Sequence, residues 1–352
     1  MNRIDIKNYG YTEFYEKQVK KFEEIDKELI PARVLAVHKE QYKIISEFGE
    51  KDARLKGSIF YNDRFTKEFP TVGDFIMVKN NPIGEDVVFD VLERKSKFSR
   101  MDSWNRKEQL VAANFDYVFI TVSLNYDFNI KRIERYLASA WQSGGTPVII
   151  LTKRDLCENL DDIVSKLEEI ALGVDIVAVS SYTGEGINEL ERFIKPGKTV
   201  VFLGSSGVGK SSLTNAIAGE EIMKVNEIRE DDSKGRHTTT HRQLITIKDH
   251  FMIIDTPGMR EMELWCVEEG IDETFSDIET LARQCKFSDC KHHKEPNCAV
   301  KEAIENGSLS EDRYKNYIKL QKEAAYAKNK ENRKAILENA AIRKKSIKFQ
   351  KK

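Results

Sequence analysis

No apolar run in this 352-residue chain approaches the ~18 residues that a membrane-spanning helix needs. The opening, Met1-Asn2-Arg3-Ile4-Asp5, offers no apolar stretch suited to a signal peptide, so a cytoplasmic protein with no membrane partner is expected. Internal repeats are lacking as well. Cysteine is scarce: of five, Cys157 and Cys266 stand apart, while Cys285, Cys290 and Cys298 crowd into one short segment. Where thiols stay reduced, such a crowd is more often metal-binding than disulfide-bonded. Net charge is nearly absent too, at −1, but it is unevenly spread. From Lys328 onward ten basic residues face only Glu331 and Glu338, leaving the tail at +8 and the rest at −9. That tail is either a solvated helix end or a phosphate-seeking arm, and charge alone does not decide.

The chain has 40% hydrophobic and 33% charged residues, which excludes wholesale disorder, and its length suits two or three domains. After an extension over 1–30, short strands follow one another: Ala32–Val37, Tyr42–Ile45, Phe75–Val78 and Asp86–Val91. Turn residues separate them, and no strong helix pattern intervenes, so residues 31–100 predict a small OB-like β-barrel. The barrel's exit, Arg94-Lys95-Ser96-Lys97-Phe98-Ser99-Arg100, is basic with an aromatic between the charges, a pattern suited to RNA. From about Val111 strands and helices alternate: strand Tyr117–Leu124, helix Ile130–Gln142, strand Pro147–Leu151, helix Asp161–Ala171, then strands Asp175–Val179 and Thr199–Leu203. This predicts an α/β domain with a mostly parallel sheet over 101–265. A small helical domain over 266–327 and the basic tail over 328–352 complete the multi-domain α/β chain.

Gly204-Ser205-Ser206-Gly207-Val208-Gly209-Lys210-Ser211 fits the phosphate-binding loop G-x-x-x-x-G-K-[ST]. An apolar strand precedes it and a helix-like stretch from Ser212 comes after it, which is the context the motif requires. Backbone N–H groups freed by the glycines face phosphates, Lys210 reaches the β- and γ-phosphates, and the Ser211 hydroxyl ligates Mg²⁺. Asp255-Thr256-Pro257-Gly258 lies 45 residues beyond Lys210, at a strand end. It reads as a second switch in which Asp255 holds Mg²⁺ and the Gly258 N–H senses the γ-phosphate. Between them, Gly235-Arg236-His237-Thr238-Thr239-Thr240 reads as the first switch, or as a polar surface loop. Spacing does not choose the magnesium ligand among its three threonines; Thr239 is taken as the candidate.

Thr152-Lys153-Arg154-Asp155, at the end of the strand Pro147–Leu151, is similar to the guanine motif Asn-Lys-x-Asp with Thr in the first place. Asp155 would accept from the guanine N1–H and 2-amino group, which adenine does not offer, and Lys153 would lie along the base plane. Ser180-Ser181-Tyr182, at another strand end, can direct backbone N–H groups to the guanine O6. Both base motifs precede the phosphate loop, whereas ordinary GTPases carry them after it. This is a circular permutation, which a packed sheet tolerates. It also places the second switch at the end of the GTPase core.

Cys285-x₄-Cys290-x-His292-x₅-Cys298 provides three thiolates and an imidazole. Four such ligands suit a closed tetrahedral Zn²⁺ that supplies folding energy, with His293 an adjacent alternative. The alternative is buried free cysteines beside a surface histidine.

Taken together, Ala113-Asn114-Phe115-Asp116, Thr152–Asp155, Gly204–Ser211, Gly235–Thr240, Asp255–Gly258 with Arg260-Glu261, and Cys285–Cys290 through Pro296 resemble the RsgA (YjeQ) family. That family comprises GTPases dependent on the small ribosomal subunit, and the matching pieces span about residues 30–325. The resemblance implies an OB-fold, a permuted GTPase and a zinc domain, with GTP, GDP, Mg²⁺ and Zn²⁺ as ligands. It implies late maturation of the small ribosomal subunit, with its rRNA as partner and the chain acting as a monomer. It also implies that His237 takes part in hydrolysis, since Met259 stands where many GTPases have a water-orienting Gln. Arg236, Arg242 and Arg260 lie near in sequence, but no arginine finger is assignable. Thr152 removes a bracing Asn side chain, which predicts modest GTP affinity. Gly207 stands where cation-activated relatives have Asn, so potassium dependence is not expected. Two other readings compete: an RNA-binding module with GTP as a structural ligand, and an ATPase, against which Asp155 argues.

Overall fold

The computed structural model describes residues 3–38, 41–55, 69–101, 108–125, 128–223, 242–255, 268–292 and 295–328. The chain divides into two compact units, one of 1–136 with 143–262 and the other of 137–142 with 263–352.

The first unit begins with a single 3-10 turn, Ile6–Tyr9, and helix α1, Glu13–Glu23. A five-stranded barrel comes next: β1 (Leu29–His38), β2 (Gln41–Ser46), β3 (Gly49–Leu55), β4 (Phe75–Lys79) and β5 (Asp86–Val91). The first part of β1 pairs with β4 and the later part with β2, and an irregularity between Val34 and Ala36 bends the strand between its partners. β2 with β3, β3 with β5 and β5 with β4 complete the circuit.

Alternation explains the unbroken apolar run of β4. Ile76 and Val78 point into the barrel with Ala32, Val34 and Ile44. Phe75 and Met77 point the other way, against Tyr11, Tyr15 and Val19 of the N-terminal segment. The N-terminal segment that carries Tyr11 and α1 therefore packs against the outside of β4.

The exit segment differs from its sequence reading. Lys97–Met101 is strand β6, paired with β7, Glu108–Ala113. Phe98 is buried and stacks on Phe115 with ring centroids 4.9 Å apart, so it offers no face to a base. Arg94 is tied to the buried Asp74 through two contacts of 2.7 and 2.8 Å.

The rest of the first unit is α/β. Strands β8 (Tyr117–Ser123), β9 (Thr146–Thr152), β10 (Asp175–Val179), β11 (Thr199–Leu203) and β13 (Met252–Asp255) lie in the order β10-β9-β8-β11-β13, all parallel. The short β12, Gln243–Thr246, runs antiparallel to β13 and meets β1 at Ala36. Helices α2 (Ile130–Gln142, of which 137–142 belong to the second unit), α3 (Leu160–Ile170) and α4 (Lys210–Ala218) join the strands. Phe119, Val148, Val177, Val200, Phe202 and Ile253 form the core beneath the sheet.

In the second unit α5 (Glu268–Thr274), α6 (Ser276–Arg283), α7 (Ala299–Glu305) and a helix over 311–328 enclose Ile271, Phe275, Ile278, Val300, Tyr317 and Leu320. Gly270 is required there: a Cβ on it would collide with the Ala138 carbonyl oxygen. Arg313 binds both carboxylate oxygens of Asp277 and lies over the Phe275 ring.

Arg94→Met leaves the Asp74 carboxylate buried without its cation, which is expected to destabilise the first unit by ~3–5 kcal/mol. Asp74→Asn in the same chain is expected to recover part of that loss. Urea unfolding of both variants checks this, and an unchanged midpoint for Arg94→Met would remove the pair's structural role.

Candidate nucleotide and metal sites

The five parallel strands end on one edge of the sheet, the crevice where open α/β sheets bind ligands. Leu203 leads into the phosphate loop from β11. Gly204 has φ 153°, and a Cβ there would collide with the Thr121 carbonyl oxygen, so only glycine fits against β8. Gly207 and Gly209 also have positive φ, and α4 begins at Lys210. The first α4 bond within the helix runs from the Leu213 N–H to the Gly209 carbonyl. The N–H groups of Lys210, Ser211 and Ser212 thus precede any intrahelical donor and, with the helix dipole, favour an anion. The Lys210 ammonium arches over the loop, donating to the carbonyls of Gly204 and Ser205 at 2.7 and 2.6 Å. Val208 is buried below, and Ser206 and Gly207 are exposed at the crest.

Beside the loop, Asp255 ends β13. Burial raises its carboxyl above the ordinary Asp value, with Lys210 opposing, and its Oδ2 finds no hydrogen-bond partner among the described residues. An orphaned, buried carboxylate oxygen next to a phosphate loop fits a divalent cation.

Thr152 ends β9, two strands from the phosphate-loop strand β11. Its hydroxyl lies 2.6 Å from the Val208 carbonyl of the phosphate loop and 3.3 Å from the Val122 carbonyl. The shorter contact ties the base motif to the phosphate loop directly, so Thr152 supplies a brace where the sequence suggested that one was lost. Lys153 comes next at φ 59°, and Arg154–Leu156 form a 3-10 turn that presents Asp155. Ser180 organises the other side: its buried hydroxyl donates to Asp155 Oδ1 at 2.5 Å and accepts from the N–H groups of Tyr182 and Thr183. Ser181 sits in that turn, half-buried, and Arg154 pairs with Glu185. Asp155 itself is exposed.

His237, Thr239 and its neighbours Thr238 and Thr240, Gly258 and Met259 lie outside the described residues, as do Arg236 and Arg260. Arg242 is committed elsewhere, donating to the Leu110 carbonyl and to Gln109 of β7. An arginine that sequence reasoning missed does reach the loop. Arg132, in the first turn of α2 behind the Asn129 cap, donates to Ser205 Oγ at 2.8 Å. The available signal was its placement: that turn holds Lys131 and Arg132 and no acid, against the preference of the helix dipole.

In the second unit, the ligand atoms of Cys285, Cys290, His292 and Cys298 all lie within 4.8 Å of one another. His292, at φ 58°, turns Nδ1 to 3.3 Å from Cys298 Sγ and 3.6 Å from Cys285 Sγ. Burial alone would raise the Cys285 thiol, but amides of Val300 and Ala299 at the start of α7, helped by the neighbouring thiols, hold it below the ordinary value. Cys290 is pushed up to about 11, by burial first and then by the neighbouring sulfurs. Three thiols this close cannot all ionise unaided, and a divalent cation at their centre removes the conflict. The donor set is compatible with zinc. His293 lies outside the described residues.

A family model described as RsgA GTPase matches residues 91–265. The Small ribosomal subunit biogenesis GTPase RsgA 1 of Listeria innocua is 48% identical over 321 residues, covering 91% of this chain and 90% of that one. The chain belongs to the RsgA GTPase family. Among solved structures, YjeQ from Thermotoga maritima matches at TM-score 0.65 and 31% identity, over 84% of this chain and 99% of that one. YloQ, described as a circularly permuted GTPase, matches at 0.62 and 28%, over 84% and 95%. This RsgA-family chain is therefore a GTPase of permuted order, with β9 and β10 preceding the phosphate-loop strand β11. Family membership carries guanine nucleotide and Mg²⁺ with it.

Thr152→Ala removes the tie to Val208 and is expected to weaken GTP and GDP binding together by about tenfold, the scale of one buried hydrogen bond. Thr152→Asn is expected to retain affinity. Equilibrium titration with a fluorescent guanine nucleotide distinguishes these, and full affinity in the Ala variant would mean the loop stands without the brace.

Proposed function

We propose that the protein hydrolyses GTP in the cytoplasm, as a monomer, to drive a late step in maturation of the small ribosomal subunit. The observation that carries this reading is the strand-edge constellation of an RsgA-family chain, in which Thr152 joins a guanine motif to a phosphate loop. The relatives' names supply the partner. On this reading Asp155 and Lys153 hold the guanine, and Ser180 and Ser181 meet its O6. The loop from Gly204 through Ser212 wraps the phosphates, while Gly258 senses the last of them. Ser211, Asp255 and Thr239 hold Mg²⁺, which when bound neutralises developing phosphate charge. Lys210 places its ammonium against the same charge, and His237 orients water or stabilises the transition state.

Small ribosomal subunits are expected to raise GTP turnover ~10³-fold from an intrinsic ~10⁻⁴ to 10⁻² s⁻¹, a gain that fades as salt rises. In the same assay His237→Ala is expected to lose ~10²-fold or more in turnover at unchanged GTP affinity. Turnover indifferent to small subunits would leave a GTPase without this partner, and an unaffected His237 variant would return that residue to a structural role.

Cys285, Cys290, His292 and Cys298 bind one Zn²⁺ that shapes the second unit. Cys290→Ala is expected to lose the metal while guanine nucleotide still binds. Elemental analysis of freshly purified protein is the measurement, and zinc retained without Cys290 would break the assignment.

A further inference from the structure

A cavity of about 150 Å³ lies where the N-terminal turn, the barrel's exit and the nucleotide-binding sheet meet. Arg33, Lys7, Lys95 and Lys198 line it, and Asp116 is the one carboxylate among the lining residues. Asp116 is already engaged. One oxygen binds Lys198 at 2.8 Å and the other accepts the Thr199 N–H at 2.9 Å. Arg33 is fully buried and donates to the carbonyls of Tyr9, Gly73 and Asn114 rather than to an acid. The Lys95 ammonium donates to Thr12 Oγ1 and lies over the rings of Phe14 and Tyr15. Lys7, exposed at the rim, pairs with Glu16 at 3.4 Å.

The lining thus concentrates positive charge that its own carboxylate does not balance. Burial and the nearby Lys198 and Arg33 together pull the Lys95 ammonium below its ordinary value, against the pull of Asp116. An anion in the cavity would relieve that repulsion and offset the cost of the buried guanidinium. The space suits a tetrahedral oxyanion with its waters. Ammonium groups on flexible stems suit phosphate, which accepts charge-assisted hydrogen bonds from several directions.

We propose that this cavity is a phosphate-binding site, separate from the nucleotide crevice. Its occupant is a free phosphate or a backbone phosphate of RNA, which share this chemistry. Bound there, the group links the N-terminal turn through Lys7 to the sheet through Lys198, closing the outer layer of the barrel against the GTPase core. The site draws on none of the residues assigned to GTP, so it stands apart from the small-subunit reading.

The test uses the full chain saturated with a non-hydrolysable GTP analogue and Mg²⁺, so that every phosphate position of the loop is already filled. Inorganic phosphate is titrated calorimetrically at ionic strength held constant with chloride. One saturable site is expected, weakened about tenfold or more in Lys95→Met, the scale of one lost charge-assisted hydrogen bond. Lys7→Met is expected to weaken it as well, and its exposed side chain makes the fold safe. Lys166→Met, exposed on α3, is expected to change nothing. A short single-stranded RNA identifies the source. If phosphate displaces it and Lys95→Met weakens both, the occupant is an RNA phosphate; if RNA ignores phosphate, the occupant is the free ion. Phosphate that binds no better than chloride, or equally well in the Lys7 and Lys95 variants, overturns the proposal.

Discussion

One guanidinium registers the parts of the first unit against each other. Arg33 springs from β1 of the barrel, yet its donors reach the carbonyl of Tyr9 in the N-terminal turn and that of Asn114 just before β8. A third goes to Gly73, which leads into β4, and the Met252 sulfur of β13 lies 3.4 Å away. The face of the guanidinium rests over the Phe75 ring. Burying a cation among carbonyls is costly, and only a complete set of acceptors makes it tolerable. The same demand makes the arrangement specific, because a shift of barrel against sheet would strand several donors at once. Among the described residues, strand pairing between them is slight, a single register pair of Ala36 with Gln243. Side-chain chemistry therefore does what strand pairing does elsewhere in the sheet.

Permutation is harmless for a related reason. A parallel sheet is held by neighbours in space, and the order β10-β9-β8-β11-β13 does not depend on where the chain begins. Thr152 reaches forward along the chain to Val208, because the base motif precedes the phosphate loop here. What changes is the exit. The chain leaves the sheet at Asp255, the residue beside the phosphate loop, and runs on into the unit that carries the cysteine cluster.

The features legible in sequence are those that require particular residue types at fixed spacing. Glycines at Gly204, Gly207 and Gly209, the Asp155 carboxylate and the four donors of the cysteine segment belong to that class. Features resting on burial are harder to read. β3 has the sequence Gly-Glu-Lys-Asp-Ala-Arg-Leu, and only Ala53 is fully buried, so its pairing partners rather than its own pattern make it a strand. α1 carries Tyr15, Val19 and Phe22 at helical spacing, a stripe masked by the stronger barrel signal beside it. Phe98 reads as a stacking platform because its neighbours are charged, and the strand's alternation turns it inward. Arg132 belongs to no motif. Its importance appears only when β8, α2 and the phosphate loop are placed together, as the contact with Ser205 requires.

Near-neutral composition also conceals a division of labour between the two cations. Burial pulls Arg33, Arg94 and Arg242 down to about 10, and each spends its planar donor fork on carbonyls, an amide oxygen or a carboxylate inside the first unit. In the second unit Arg313 spends its donor fork on Asp277 and the Thr274 carbonyl. A guanidinium suits such work because its geometry is rigid and its hydration weak. Lysines such as Lys7 and Lys97 remain at the surface, as compact, well-hydrated charges without a fixed fork. Since counterion release tracks only the charges that face a nucleic acid, the salt dependence of any RNA contact should depend on these lysines rather than on the basic count of the whole chain. Replacing an internal arginine would then alter stability and leave the salt slope unchanged, whereas replacing an exposed lysine would do the reverse.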